Sequence, residues 1–355
     1  MPYCHKCGSK LDEDAKFCHV CGTPVTPIPT VTPRAAAPPP RRTHPLPLAA
    51  AILIAILVIA VVTTVIIFLP VVPVSFNQSN EASAANVNSL NLTIDADIAN
   101  VNVSFRNLPG NQLAVVNVSA TGSRGIFGTD TPLALASQEK TENSTLKFTT
   151  RISRADPWTS LYSLNVACDV YIDPSANLNL TVRTGTGQTE INAGRSVSFQ
   201  GVHVETSTGS VEARLTEGTV ISGSFSLQTA TGTVQLLWAE ADVSGNVPVN
   251  LRTNTGSVDI NITQTRSLTG NVTLNAETST GGVSLRMDIR NDVGAKVSAT
   301  TVIGGVSVEQ KGFSGNTAPL QSSNYPAGSN FLINLETNTG GIDINAVYEL
   351  GGVRS

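Results

Sequence analysis

Four cysteines form two closely spaced pairs near the N-terminus of the 355-residue chain. The spacing is Cys4-x2-Cys7, ten residues, then Cys18-x2-Cys21. Two such turns bring four soft thiolates to tetrahedral range, which is the ligand set and geometry of structural Zn²⁺ sites. A segment of roughly 25 residues cannot bury a sufficient apolar core, so metal binding must supply most of its folding free energy. The pattern predicts a Zn²⁺ module over residues 1–23.

An uninterrupted apolar segment follows. Leu46 to Leu69 contains no charged residue. The 22 residues from Leu48 to Leu69 would form about 33 Å of helix, enough for a hydrocarbon core of about 30 Å. A buried helix of a soluble protein usually has a polar face, and a signal peptide has a shorter apolar stretch near the chain start. The segment therefore predicts one transmembrane helix over residues 46–69.

The positive charges beside this segment predict its orientation. Arg34, Arg41 and Arg42 precede it, and no Lys or Arg follows it until Arg106. The positive-inside rule places the N-terminus in the cytoplasm and the C-terminal part outside the cell. A reducing cytoplasm keeps clustered cysteines as thiols, which disfavours the alternatives of disulfides or a redox Cys-x2-Cys. We expect a single-pass protein of the cell membrane, with a Pro-rich linker (24–45) before the span and a second linker (70–85) after it.

The cysteine segment resembles the small zinc ribbons at the N-terminus of many prokaryotic membrane proteins. This resemblance implies a structural or docking module whose four zinc positions are all filled by cysteine, and hence no catalytic metal position. His5 and His19 lie inside the Cys-x2-Cys loops and could replace a thiolate, although four thiolates already complete the site. A cytoplasmic protein is the partner that such a ribbon would bind.

A short phrase recurs through the C-terminal part, and "RTNTGSVDINI", Arg252 to Ile262, is one copy. Seven copies align on a common glycine, with spacings of 22, 23, 24, 25, 23 and 36 residues. The aligned glycines are Gly187, Gly209, Gly232, Gly256, Gly281, Gly304 and Gly340. Apolar and polar residues alternate on both sides of each glycine, which is the period of a strand with one buried face. Each copy is therefore predicted to be a strand, a Thr-x-Thr-Gly corner and a second strand.

The copies must cover one another, because a unit of 22 to 25 residues cannot bury its own apolar face. Stacking would pair equivalent strands about 4.8 Å apart, with each copy covering the previous one and the threonines three before the glycines forming hydroxyl ladders. We predict an all-β fold: a β-solenoid over residues 179–347, begun or capped by an N-terminal β region (86–178) and followed by a tail (348–355). The alternative is an antiparallel sandwich of hairpins that turn at Thr-Gly.

Composition agrees with a β fold and argues against nucleic acid as a partner. Charged residues make up 14% of the chain and there are 29 glycines, which disfavours helices. Residues 1–45 hold six Lys and Arg against three Asp and Glu, whereas the rest hold 16 against 23, a net charge of −7. No basic surface for nucleic acid is expected outside the first 45 residues.

Few residues of the C-terminal part could carry out a reaction. Glu190 and Glu212 fall on successive copies about 5 Å apart, the carboxylate separation of retaining glycosidases, but a polar ladder on a strand surface is the simpler interpretation. His203 lies in an outward polar column without an evident acid and nucleophile beside it. In "SLNVACDVYI", Cys168 shares the apolar face of a strand, which indicates a buried structural thiol. We expect no enzymatic activity.

The repeat pattern, from about Asn86 to Val347, resembles the putative adhesin domains of prokaryotic surface proteins, a family of unknown biochemical activity with serial "TxTGxVxV" strands. The resemblance implies a binding module and carries over no catalytic residue. Aromatic residues of irregular segments are the ligand-binding candidates: Trp158, Tyr162, Phe313 and Tyr325. We predict a membrane-anchored, adhesin-like surface protein that binds an envelope glycan or a surface protein. The alternative is a transmembrane envelope sensor or scaffold that signals through the zinc ribbon.

Overall fold

The computed structural model describes residues 2–25, 48–68, 72–124, 131–155, 161–315 and 319–350. The chain divides into two compact units, Met1–Ala60 and Val61–Ser355. The first unit begins with a small ribbon held by two isolated antiparallel bridges, Tyr3 with Lys10 and Phe17 with Pro24. Its apolar core is small, because it consists of Cys4, Leu11 and Cys18 with Val25 packed against them.

One helix, α1 (Leu48–Phe68), contains no charged residue over its 21 positions. Its side chains are described from residue 50 to residue 65, and from Ala51 to Val65 all of them are exposed. Within the described part of the chain, no helix is both long enough and apolar enough to cross a membrane. The transmembrane helix predicted over residues 46–69 is therefore not confirmed.

The second unit is built from two open β-sheets, which we call the β stack (Val72–Glu349). Its first twelve strands are β1 (Val72–Ser83), β2 (Ser89–Ile98), β3 (Asn100–Phe105), β4 (Gln112–Arg124), β5 (Leu133–Glu142), β6 (Thr145–Arg154), β7 (Leu161–Ile172), β8 (Asn177–Thr186), β9 (Thr189–Ala193), β10 (Ser198–Thr208), β11 (Val211–Leu215) and β12 (Val220–Ile221). The remaining strands are β13 (Phe225–Thr231), β14 (Val234–Ala239), β15 (Asp242–Val243), β16 (Asn246–Thr255), β17 (Val258–Gln264), β18 (Asn271–Thr280), β19 (Val283–Arg290), β20 (Val293–Ile303), β21 (Val306–Lys311), β22 (Phe313–Ser314), β23 (Leu320–Ser322), β24 (Ser329–Thr339) and β25 (Ile342–Glu349).

The order of strands in each sheet shows how the copies of the phrase pair. The first sheet runs β1-β4-β7-β3-β9-β11-β14-β17-β19-β25-β21. The second runs β22-β23-β20-β24-β18-β16-β13-β10-β8-β2-β6-β5, with β12 and β15 beside it. Each copy contributes one strand to each sheet, and equivalent residues pair in parallel, as Val211 does with Thr189 and Val234. Parallel pairing of the copies is therefore confirmed, and the alternative of an antiparallel sandwich of hairpins is not. The description of these open sheets as a β-solenoid stays a prediction.

The copies do not all stack in chain order. The strands of the seventh copy, β24 and β25, lie between those of the fifth and the sixth in both sheets. The expectation that each copy covers the previous one is therefore wrong at this end of the stack. The 36-residue spacing before Gly340 gives the chain enough length to return, and on the way β22 and β23 form a hairpin against β20.

A further copy lies at the other end, where the glycine is replaced. Strands β2 and β3 pair in parallel with the first copy, β8 and β9. Leu92 and Ile94 precede this corner, Ala99 occupies the position of the glycine, and Val101 and Val103 follow. The pairing continues to β6 and β7. Residues before 179 thus belong to the same stack, and β8 continues without a break across residues 178–179.

The alternation read from the sequence is confirmed by burial. Inward residues of both sheets belong to one apolar cluster. Cys168 is fully buried within it, and burial raises the pKa of its thiol to about 12. The sixth copy, at the end of the stack, is less covered, since Val306 and Val308 are half-buried.

The corner glycines are held in a conformation that other residues rarely adopt. All seven have φ between 138° and 150°. The carbonyl oxygens of Gly209, Gly232, Gly256, Gly281 and Gly340 accept hydrogen bonds from a threonine of the adjacent copy. Thr253 Oγ1, for example, donates to Gly232 O at 3.0 Å. The same bond joins Thr278 Oγ1 to Gly256 O at 3.1 Å. The predicted ladder of hydroxyls is thus mainly a ladder from hydroxyl to glycine carbonyl, although Thr184 and Thr206 do bond one another.

We expect Thr253→Val to lower the free energy of unfolding of the β stack by about 1 kcal/mol. Valine keeps the shape of threonine but cannot donate to the Gly232 carbonyl. Thr255→Val is the matched control, because Thr255 is an exposed residue of the same strand. Urea unfolding followed by circular dichroism compares the variants, and equal losses in both would show that this hydroxyl bond contributes nothing specific.

Candidate metal centre and external surface

The two halves of the ribbon form equivalent knuckles, fourteen residues apart in sequence. In each, the glycine after the second cysteine donates its N–H to the first cysteine's carbonyl oxygen: Gly8 to Cys4 at 2.9 Å and Gly22 to Cys18 at 2.8 Å. Both glycines have φ near 70°, which costs a glycine little. The knuckles thereby turn both thiols of each pair toward one point.

The four thiols converge as the sequence predicts. The Sγ atoms of Cys4, Cys7, Cys18 and Cys21 all lie within 4.8 Å of one another. Cys4 Sγ and Cys21 Sγ are 3.6 Å apart, and Cys7 Sγ and Cys18 Sγ are 3.7 Å apart. A tetrahedral ion with Zn–S bonds of about 2.3 Å requires about 3.8 Å between its ligand sulfurs. The donor set and its spacing fit Zn²⁺, whereas His5 and His19 lie outside the group and are exposed.

Two hydroxyl side chains support the thiols. Ser9 Oγ lies 3.1 Å from Cys7 Sγ and 3.2 Å from Cys18 Sγ, and Thr23 Oγ1 lies 3.2 Å from Cys21 Sγ. The hydrogen bond from Ser9 is the main reason that the pKa of Cys18 falls to about 5. The hydroxyl and backbone N–H of Thr23 lower the pKa of Cys21. These contacts favour the thiolate, which is the form that binds metal.

Sequence reasoning did not single out these hydroxyls, although a signal was present. The two knuckles read "CHKCGS" and "CHVCGT", so a small hydroxyl residue follows the glycine in both. Because that residue lies next to the turn, its side chain reaches back to the sulfurs. This hydroxyl is the outer partner of a sulfur ligand, a kind of contact that typically tunes metal affinity.

Of the four aromatic ligand candidates of the β stack, two have side chains that the structure describes. Trp158 lies outside the described residues, and Tyr162 lies in β7 at a position whose side chain is not described. Phe313 is buried in the apolar cluster, so its ring contributes to packing. Tyr325 is half-buried. Their role as ligand contacts stays a prediction.

The paired carboxylates considered for glycoside hydrolysis are joined by an arginine. Glu190 and Glu212 do pair across β9 and β11. Arg214 Nε lies 2.6 Å from Glu212 Oε1 and 4.0 Å from Glu190 Oε1, and the bond to Glu212 raises the pKa of the guanidinium. Asn192 also donates to Glu190 at 2.8 Å. Both carboxylates thus contact the same arginine, as in a polar ladder on a strand surface.

His203 lies beside an acidic residue of its own strand. Its Nε2 is 3.8 Å from Glu205 Oε2, on the outward face of the second sheet. Arg183 contacts the same carboxylate at 3.8 Å. The arrangement is that of an exposed ion-pair cluster, which contributes little to stability.

Comparison with solved structures finds similar proteins, and three of them are adhesion proteins or adhesins by name. A putative cell adhesion protein from Clostridium sporogenes ATCC 15579 shares 12% identity, with a TM-score of 0.40, over 77% of this chain and 99% of that chain. A putative adhesin from Bacteroides fragilis NCTC 9343 shares 10% identity, with a TM-score of 0.26, over 76% and 97%. A putative adhesin from Parabacteroides distasonis ATCC 8503 shares 8% identity, with a TM-score of 0.25, over 76% and 97%.

Sequence comparison identifies the N-terminal segment but not the whole chain. No curated protein matches the sequence significantly. The family model of the zinc-ribbon domain matches residues 3–25, the same residues whose four thiols converge. The N-terminal segment of this chain is therefore a zinc-ribbon domain.

Proposed function

We propose that the apolar segment 46–69, which includes α1, anchors this protein in the cell membrane. The β stack would then lie outside the cell as a non-enzymatic, adhesin-like binding module. The observation that carries the anchoring is the exposure of α1, whose side chains from Ala51 to Val65 are all open to solvent. Leu53 and Leu57 are 67% and 65% exposed. So large an uncovered apolar surface is stable in lipid and costly in water.

The flanking charges support the direction of insertion. Arg34, Arg41 and Arg42 precede the helix, and Arg106 is the first basic residue after it. This asymmetry favours a cytoplasmic zinc ribbon and an external β stack. In that arrangement the ribbon is in the reducing compartment that its thiols require.

The β stack supports binding better than catalysis. Its copies share one apolar core, and its outward faces carry polar ladders such as the one from Asn250 through Asn275 to Asn334, with amide contacts of 3.1 and 2.9 Å. In this proposal the stack is a β-solenoid, a rigid scaffold that holds its loops for recognition. An envelope glycan or a surface protein is the ligand class it would bind.

Two experiments test this function. Protease added to intact cells should remove a C-terminal tag from the full-length protein, whereas a tag that survives until the cells are lysed would contradict the orientation. The full-length protein in nanodiscs should bind saturably to protein-stripped envelope from its own cells. Empty nanodiscs are the control, and binding no stronger than theirs would contradict the adhesin-like function.

One observation favours a second function, an envelope sensor that signals through the ribbon. Tyr3, Phe17 and Val20 of the ribbon are 65%, 62% and 64% exposed, and exposed apolar side chains on so small a module suit a protein partner. The Cys4→Ser, Cys7→Ser double variant separates the two functions. Envelope binding should survive it if the protein is an adhesin, whereas a sensor should lose its cytoplasmic response.

A further inference from the structure

A groove of about 530 Å³ lies at the C-terminal ends of three neighbouring strands of the first sheet. Its polar lining includes Arg106, Arg195, Arg214, Asn107, Asn192 and Thr216. Arg106 directly follows β3, Arg195 is two residues beyond β9, and Arg214 is in β11. Because β3, β9 and β11 are adjacent in the sheet, residues far apart in sequence meet here.

The groove is basic within a part of the chain that is acidic. Residues 46–355 carry 16 Lys and Arg against 23 Asp and Glu, yet three arginines and no carboxylate line the groove. Glu190 and Glu212 lie beside it, but both are paired with Arg214. The charge available to a ligand is therefore mainly that of Arg106 and Arg195.

These two arginines differ in how they are held. The Arg106 guanidinium lies 3.6 Å above the centre of the Tyr171 ring, and its backbone N–H donates to Ile172 O at 3.0 Å. Arg195 is exposed and forms no hydrogen bond or ion pair with another described residue. One guanidinium is thus preoriented and the other is free to take a partner, which suits a site for an oxyanion.

We propose that this arginine groove binds a linear anionic glycan through its carboxylate or phosphate groups. The inference rests on the proposed binding function and names its ligand class. Arg106 and Arg195 bind the oxyanion, since a guanidinium can donate two parallel hydrogen bonds to it. Asn107, Asn192 and Thr216 offer amide and hydroxyl groups to the sugar hydroxyls. Asn192 and Arg214 are paired residues of neighbouring strands, about 4.8 Å apart across the sheet, which suits an extended polymer.

The lining favours a glycan over a single-stranded nucleic acid. Phe105 is the aromatic residue of the groove, and it is half-buried and packed edge-on against Phe199 with 5.7 Å between ring centres. One half-buried ring is a poor platform for the stacked bases by which single strands are usually held.

The test uses full-length protein in detergent micelles with defined probes. Oligogalacturonate presents carboxylates, a polyglycerol phosphate presents phosphates, and methyl-esterified oligogalacturonate is the uncharged match. Inorganic polyphosphate and a single-stranded oligonucleotide are the other anions. We expect saturable binding of at least one charged glycan, weakening with added salt, and no binding of the methyl ester. Which charged glycan binds distinguishes carboxylate from phosphate.

Variants place the binding in the groove. Arg195→Glu should weaken binding of the charged glycan at least about 10-fold, because it replaces a charge-assisted donor by a repelling group. Arg106→Lys should also weaken this binding, since lysine keeps the charge but lacks the planar guanidinium that donates two parallel hydrogen bonds. Arg286→Glu is the control, because Arg286 is exposed and lies outside the groove, at the position of β19 that Arg214 occupies in β11. It changes the net charge equally and should leave binding unchanged.

The outcomes separate this inference from the proposed function. If Arg195→Glu and Arg286→Glu bind the glycan equally well, the groove is not the site. Binding restricted to polyphosphate or the oligonucleotide would overturn the ligand class. Envelope binding that persists unchanged in Arg195→Glu would support the adhesin-like function and contradict the groove as its site. If the unmodified protein binds neither envelope nor any charged glycan, both the adhesin-like function and the groove proposal are wrong.

Discussion

Gly256→Ala should destabilise the β stack by about 3 kcal/mol or more. Gly256 has φ near 141°, which an L-residue with a side chain rarely adopts, and a Cβ added there would lie 2.0 Å from the carbonyl oxygen of Gly232. That oxygen belongs to the backbone of the neighbouring copy, so the overlap can be relieved only by moving one strand pair away from the next. Thermal and urea unfolding of the variant, followed by circular dichroism, measure the loss.

The effect should extend beyond the substituted residue. Gly256 O accepts the hydroxyl of Thr278 at 3.1 Å, so a displaced corner also breaks the contact with the following copy. Gly305→Ala is the matched control, because a Cβ at Gly305 meets nothing within 4 Å although the residue adjoins a corner glycine. We expect this control to change the free energy of unfolding by less than about 0.5 kcal/mol. Similar losses in the two variants would show that close packing of the corners does not limit stability.

The prediction explains why the phrase keeps its glycine while the residues around it vary. At Gly187, Gly209, Gly232, Gly256, Gly281, Gly304 and Gly340, an added Cβ would lie within 2.0 Å of a backbone oxygen in the adjacent copy. The apolar positions tolerate Val, Leu, Ile, Ala or Phe because the core needs only volume. Ala99 occupies the equivalent place between β2 and β3. On their other side, these strands pair with β6 and β7, which have no glycine corner between them.

Local patterns predicted the strands well but not the order of the strands in the sheets. The alternation of polar and apolar residues specifies which face is buried, and the uniform register specifies parallel pairing. Every copy presents nearly the same faces, however, so the pattern cannot decide whether β25 follows β19 or β21. That choice depends on the long connection through the hairpin of β22 and β23, whose 36-residue spacing was its one visible sign.

The two candidate sites differ in the same way. The zinc ligands lie within eighteen residues and their spacing alone indicates a metal site. Arg106 and Arg195 are 89 positions apart and belong to no motif. They meet because β3 pairs directly with β9, although strands β4 to β8 lie between them in the sequence. A groove assembled from loop residues by strand order leaves no periodic signal in the sequence.

Removing zinc should unfold residues 3–25 and leave the β stack folded. The ribbon's apolar core contains few residues, chiefly Cys4, Leu11 and Cys18, so it cannot offset the conformational entropy of folding without the metal. Zinc binding to ribbon peptides contributes on the order of 10–16 kcal/mol. A chelator should therefore abolish protection of the ribbon's backbone amides from hydrogen exchange, while the exchange of β8 to β25 stays unchanged, because that sheet pair has a separate core.

Variants of the ribbon test the same zinc dependence of folding without a chelator. Cys18→Ser should lose both bound zinc and amide protection, since it removes one of four ligands and leaves three thiols that cannot close the tetrahedron. Ser9→Ala should keep the fold in excess zinc but weaken zinc affinity by about 10-fold or more, because Ser9 bonds the sulfurs of both Cys7 and Cys18. His19→Ala is the control, as His19 is exposed and outside the thiol group. A ribbon that stays protected without metal, or a His19→Ala variant that loses zinc as fully as Cys18→Ser, would contradict a four-thiolate site that folds around its ion.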